Sequence, residues 1–129
     1  MLCDYAKARD GLVNIVGGGI GRLTLDPLPG PLLVHVVLLV EFSGDEASAP
    51  HELSIQVYDD ERARPIGSMV ATLAVGQRAV DLSPSERVVV PLVANLAPLG
   101  IPTSGMYSVH TRVDRETGPV LSLRVLPAN

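Results

Sequence analysis

Seven charged side chains in two turn-like segments are the residues of this 129-residue chain best typed for a polar site. Asp59, Asp60, Arg62 and Arg64 stand in the first segment, and Asp114, Arg115 and Glu116 in the second. The carboxylates Asp59, Asp60, Glu61, Asp114 and Glu116, if gathered at one end of a β scaffold, can hold calcium, whose hard charge takes about six to eight oxygens. Consecutive acids without a ligand spacing serve equally as hydrophilic turn residues, and Arg62 and Arg64 partly neutralise the first group. The two segments can fall at the same end of a scaffold or at opposite ends. Only in the first case would they line one small-ligand pocket.

The other chemistry-bearing patterns fail on spacing. Gly17-Gly18-Gly19-Ile20-Gly21 suggests a nucleotide loop, but the dinucleotide fingerprint needs a glycine at the sixth position, where Arg22 stands. It also needs a helix to hold the phosphate, and an alternating strand follows instead. No Gly-Lys-Ser or Gly-Lys-Thr occurs. His35, His51 and His110 are far apart, with Cys3 the sole thiol, which gives no support to a zinc site. There is no Gly-x-Ser-x-Gly elbow, and Ser83 and Ser104 read as turn serines. Paired carboxylates for glycoside hydrolysis usually come with aromatic sugar platforms, and the aromatic fraction is only 3%. The sequence therefore predicts no catalytic residue, cofactor or metal.

The scaffold is legible from composition. The hydrophobic fraction is 47%, rich in Val and Leu, with no Trp and one Phe. Such residues favour strands. One chain of this length makes one domain, over residues 1–129, burying roughly two-thirds of its unfolded surface. Period-two alternation recurs throughout. Leu53, Ile55 and Val57 point one way and Ser54, Gln56 and Tyr58 the other; Met69, Ala71, Leu73 and Val75 share a face. Tyr107, Val109, Thr111 and Val113 alternate with Ser108, His110 and Arg112, and Leu121, Leu123 and Val125 follow. Leu32–Phe42 is apolar on both sides, as a strand covered on both faces would be.

Turn signals separate these runs. Gly17–Gly19 suits a hairpin between two short apolar runs, and Gly118 suits the left-handed position of another. The prolines from Pro27 to Pro31 stop any ladder, and Gln77–Glu86 reads as a long connection. The expected fold is all-β, an immunoglobulin-like antiparallel β-sandwich of about seven to nine strands.

Two resemblances sharpen this. Leu99–Val113, with Pro102 and Gly105 before Tyr107, resembles an immunoglobulin-like corner, in which a tyrosine hydroxyl bonds back to the preceding turn. The opening, Leu2-Cys3-Asp4-Tyr5-Ala6 and then Gly11-Leu12-Val13-Asn14-Ile15-Val16-Gly17-Gly18-Gly19, resembles a family of small bacterial proteins of unknown function. These begin with a strand and a GLxNIxGGG hairpin. That resemblance implies a bacterial, intracellular protein and brings no activity or site residue with it.

Charge and hydropathy bound the partners. A net charge of −4, one lysine and scattered arginines argue against nucleic acid, which needs clustered cations. Leu32–Val40 is about half the length of a membrane span. Asp4, Lys7 and Arg9 stand where a signal core would lie, and a lone cysteine fits a reducing, cytoplasmic compartment. Apolar residues exceed the needs of one small core, with Leu28, Leu32, Val37, Leu39, Val70 and Val89 as surplus. They point to a non-catalytic interaction or structural module, forming a homo-oligomer or binding another protein. The alternative is a small-ligand binder or modest enzyme, with a pocket at one loop-rich end lined by the seven charged residues.

Overall fold

Alternating apolar and polar residues build eleven strands in the computed structural model, which describes residues 1–9, 11–47, 49–74, 83 and 85–128. The strands are β1 (Leu2–Arg9), β2 (Leu12–Gly18), β3 (Arg22–Leu25), β4 (Gly30–Pro31), β5 (His35–Ser43), β6 (Pro50–Asp59), β7 (Arg64–Ala74), β8 (Arg87–Asn95), β9 (Gly100–Ile101), β10 (Gly105–Val113) and β11 (Glu116–Pro127). Among the described residues one four-residue helix, α1 (Gly44–Ala47), follows β5. The count exceeds the expected seven to nine because β4 and β9 are two-residue strands that pair only with each other.

Two larger sheets stack. One has the order β2-β1-β5-β8 and the other β3-β11-β10-β6-β7. All pairs are antiparallel except β3 with β11. Inward residues of both sheets form one buried cluster: Val36, Leu38 and Leu92 from the first, and Leu53, Ile55, Val57, Tyr107, Val109 and Leu123 from the second. The alternation of β6 and β10 read from the sequence is thus the alternation of their burial. On β7, Met69 packs against the core whereas Ala71 is exposed. Val75 and residues 77–82 and 84 of the long connection lie outside the described residues.

Three local expectations are corrected. Gly17–Gly19 does not turn a hairpin. β2 pairs with β1, through a turn carrying Gly11 at φ 76°, while β3 pairs with β11 in the opposite sheet. The glycines instead carry the chain from one sheet to the other, with Gly19 and Ile20 N–H groups donating to the Leu2 carbonyl. Gly118 lies within β11, and Asp114 takes the left-handed conformation at φ 54°. The proline segment does not end all pairing, since Gly30 and Pro31 form β4.

The outer face of the first sheet is half covered. The β1–β2 hairpin lays Cys3, Ala6 and Val13 over Val37 and Val93. Beyond it Leu39 is 64% and Val89 54% exposed. β5 is therefore covered on both faces only along its first half. Of the supposed surplus residues, Leu32 and Val37 are buried and Leu28 packs against the core, leaving Leu39, Val70 and Val89 exposed. Among the described residues no helix is long and apolar enough to cross a membrane.

Candidate functional site

The two charged turns lie at opposite ends of the second sheet. In the β6–β10 ladder Asp59 sits beside Tyr107 and Leu53 beside Val113. Six residues of antiparallel strand, about 20 Å, therefore separate the turns. Asp59, Asp60, Arg62 and Arg64 are brought together at one end, and Asp114, Arg115 and Glu116 at the other. One pocket lined by all seven is not assembled.

Each turn uses its carboxylates structurally. Asp59 is buried at the end of β6. Its Oδ1 accepts from the Glu61 and Arg62 N–H groups at 3.1 and 3.0 Å, and its Oδ2 from Arg62 Nη1 at 3.2 Å. Burial alone would raise its pKa, but the bonds from Arg62 and Glu61 hold it below the usual value. Arg64 opens β7 and is exposed. Asp60 Oδ1 accepts from Ser108 Oγ at 2.8 Å, and Ser108 Oγ lies 2.9 Å from His110 Nε2. With its proton on Asp60, Ser108 accepts from the imidazole. That is the reverse of an activated serine, whose hydroxyl gives its proton to the base.

At the other end Asp114 closes a clamp. Its N–H donates to the Glu52 carbonyl at 2.7 Å, its Oδ1 accepts from the Glu52 N–H at 2.9 Å, and its Oδ2 meets His51 Nδ1 at 2.8 Å. His51 is buried, stacks on Phe42 at 4.2 Å, and meets the Glu46 carbonyl through Nε2 at 2.5 Å. Both imidazole nitrogens thus face acceptors, and only the protonated ring satisfies both. Burial pushes its pKa down, but the bonds to Asp114 and Glu46 outweigh that and raise it. The bonds from Glu52 and His51 lower Asp114. The sequence singled out Asp114 but gave no signal for its partner, because His51 stands 63 positions away in the chain. Arg115 and Glu116 are exposed beside it.

The remaining candidates are structural or dispersed. His35 Nδ1 lies 3.3 Å from the Asp4 carbonyl, and its ring meets Tyr5 edge-on. Cys3 is fully buried, and burial pushes its thiol pKa up, away from the reactive thiolate. Among the described residues, no three of His, Cys, Asp and Glu converge as metal ligands.

A groove of 450 Å³ opens at the side of the molecule, between β5 at Val37–Glu41 and β11 at Glu116–Pro119. Met1, Ile15 and Val113 complete its lining. Of the seven charged residues only Glu116 reaches it. A hollow of 370 Å³ adjoins it past Glu41 and Glu116, bordered by Glu46, Asp114 and Arg115. A third, of 380 Å³, lies on the outer face of the second sheet beside Gln56, His110 and Arg112.

Fold and hollows together define an all-β protein of stacked sheets with an apolar groove between two strand edges. The chain belongs to the family of unknown function DUF6941, whose model matches residues 1–126. No curated protein matches it. A solved β-glucosidase from Listeria innocua, crystallised with isofagomine, is similar over 83% of this chain at 14% identity and a TM-score of 0.46. The chain spans 15% of that enzyme's length, and a likeness of this degree carries no argument about activity.

Proposed function

We propose that the protein is a non-catalytic interaction module that self-associates through the uncovered half of its first sheet's outer face. The observation that carries this reading is the exposure of Leu39 and Val89. They are diagonal neighbours across the β5–β8 ladder, in which Leu39 pairs with Pro91 and Glu41 with Val89. Met1 and Ile15 extend the apolar surface at the edge of the hairpin. A flat apolar face can meet its own copy across a two-fold axis, where each side chain contacts its counterpart's surroundings.

An immunoglobulin-like sandwich is the finer fold reading. It is supported by the Tyr107 hydroxyl donating to the Thr103 carbonyl at 2.6 Å and by β3 running parallel to β11. A cytoplasmic location is supported by the free, buried thiol of Cys3. The small-ligand alternative has less support, because the groove lacks the several convergent polar groups that orient a ligand.

Sedimentation velocity across a concentration series tests the association. The expected result is a monomer–dimer equilibrium in the parent chain and a monomer in Val89→Lys. A parent chain that stays monomeric throughout overturns it.

A further inference from the structure

The hollow on the outer face of the second sheet is floored by two adjacent rows of outward side chains. Strand register sets Thr117, Arg112 and Ser54 side by side on β11, β10 and β6. The next row holds His110, Gln56 and Ser68 on β10, β6 and β7. Residues between the rows turn inward: Ile55 and Thr111 are buried, and Met69 packs against the core. The rows stand about 7 Å apart along the strands, and neighbouring strands about 4.8 Å apart. A small tetrahedral group with a substituent therefore reaches both rows.

The lining is rich in donors and free of acids. Arg112 is its one permanently charged side chain. Among the described residues Arg112 makes no ion pair, so its fork of N–H groups is open. The acids that flank the hollow in the chain are Glu52 on β6, Glu116 on β11 and Asp60 between β6 and β7, and none of them lines it. In a chain of net charge −4 this is a cationic spot ringed by hydroxyl and amide donors. Such a set takes an anion, and the guanidinium fork matches a carboxylate or a phosphate.

His110 selects between them. Asp60 takes the Ser108 proton and Ser108 Oγ takes the Nε2 proton, at 2.8 and 2.9 Å, so Nε2 is committed. The bonding directions of the two ring nitrogens diverge, so Nδ1 points away from Ser108. It has no partner among the described residues, and Tyr58 braces the ring edge-on at 6.1 Å. A phosphate monoester exchanges its second proton at about pH 6, so it meets Nδ1 in either protonation state. As a monoanion it donates to the imidazole, and as a dianion it accepts from the imidazolium. A carboxylate or a sulfate ester holds no proton near neutral pH and meets only the imidazolium. A planar carboxylate also places both oxygens on a bidentate guanidinium, whereas a tetrahedral phosphate keeps one for Gln56 or a hydroxyl.

We propose that this hollow binds a small phosphate monoester, with Arg112 as charge partner, His110 sharing the phosphate's proton and Gln56 donating to a further oxygen. Val70, 64% exposed at its border, offers apolar surface to the ester's organic part. At 380 Å³ the hollow is of small-ligand size. It lies on the other sheet from Leu39 and Val89, so this site and self-association fail separately.

The probe is phenyl phosphate, titrated near neutral pH into the isotope-labelled full chain. NMR follows the Gln56 side-chain amide, the Arg112 Nε–H and the His110 ring, and all three are expected to shift saturably. Phenyl sulfate, of the same shape but without an exchangeable proton, is expected to bind at least about tenfold more weakly, a difference of about 1.4 kcal/mol. Arg112→Gln changes an exposed side chain. It is expected to weaken phenyl phosphate by at least about tenfold and to leave the urea midpoint unchanged. His110→Phe keeps a ring beside Tyr58 but removes Nδ1, and is expected to erase the preference for phosphate over sulfate. Val89→Lys is expected to bind like the parent chain, whether or not it self-associates. A heptapeptide carrying phosphotyrosine presents the same group on a chain, and is expected to bind no more tightly than phenyl phosphate. Absence of saturable shifts, or equal binding of the two probes by the parent chain, would overturn the proposal. So would parent-like binding in Arg112→Gln or an undiminished preference in His110→Phe. Binding of the peptide about tenfold tighter than phenyl phosphate would overturn the small-molecule occupant.

Discussion

The imidazole of His51 and the carboxylate of Asp114, 63 positions apart in the chain, meet at 2.8 Å and tie the start of β6 to the β10–β11 turn. Phe42 stacks on one face of the ring, and the Glu46 carbonyl takes its second nitrogen. Four separate segments thus close one end of the sandwich around a single protonatable group.

That arrangement makes stability depend on pH in a defined window. His51 binds its proton more tightly folded than unfolded, so its contribution is complete below about pH 6.5 and is lost as pH rises through the raised folded value. Asp114 runs the other way: its contribution is complete above about pH 3.9 and is lost as pH falls through the lowered folded value. Urea midpoints should therefore peak between about pH 4 and pH 6.5. In Asp114→Asn the decline above that window should flatten. An equally steep decline in the variant would show that another group causes it.

Tyr107→Phe isolates the corner bond. The ring is fully buried, and its hydroxyl donates to the Thr103 carbonyl at 2.6 Å. Removing the hydroxyl should cost about 1–2 kcal/mol, with the denaturant slope unchanged. A neutral result would mean that water replaces the bond.

Two glycines should respond oppositely to alanine. A Cβ at Gly118 would stand 2.5 Å from Thr111 Oγ1 and 3.4 Å from the Thr111 carbonyl oxygen. Thr111 Oγ1 is held by its bond to the Pro119 carbonyl at 2.9 Å, so it yields poorly. Gly118→Ala should destabilise by about 1–3 kcal/mol. At Gly21 a Cβ meets nothing within 4 Å, and Gly21→Ala should be neutral or stabilising by up to about 1 kcal/mol. Thermal unfolding of both variants checks the contrast.

Leu39 and Leu123 separate association from folding. Leu123→Ala removes a fully buried side chain from between the sheets and should cost about 2–5 kcal/mol. Leu39→Lys changes a side chain that is 64% exposed. It should leave the unfolding free energy within about 0.5 kcal/mol of the parent while dissociating the dimer in sedimentation. A large loss of stability in Leu39→Lys would mark the residue as core.

The strands of the second sheet were legible because period-two alternation is a local signal. Leu53, Ile55 and Val57 face the core as their spacing predicts, and so do Tyr107 and Val109. The turns were less legible. Gly17–Gly19 reads as a hairpin because glycine permits a tight turn, yet it says nothing of which sheet the next strand joins. Gly118 looked like the left-handed residue, but Asp114 holds that conformation because its carboxylate and amide bond to Glu52.

The candidate site divides along the same line. Residue type and spacing alone determined that the charged segments were turns and that no serine elbow, phosphate loop or close histidine pair was present. Only the tertiary structure decided that Asp59 and Asp114 stand at opposite ends, because strand direction and register set which turns share an end. It also decided that the β1–β2 hairpin covers Val37 and leaves Leu39 exposed. A sheet face is covered or exposed only relative to the element laid over it, and that relation joins residues remote in sequence. Local patterning determines which residues extend; long-range pairing determines which of them are left without a neighbour.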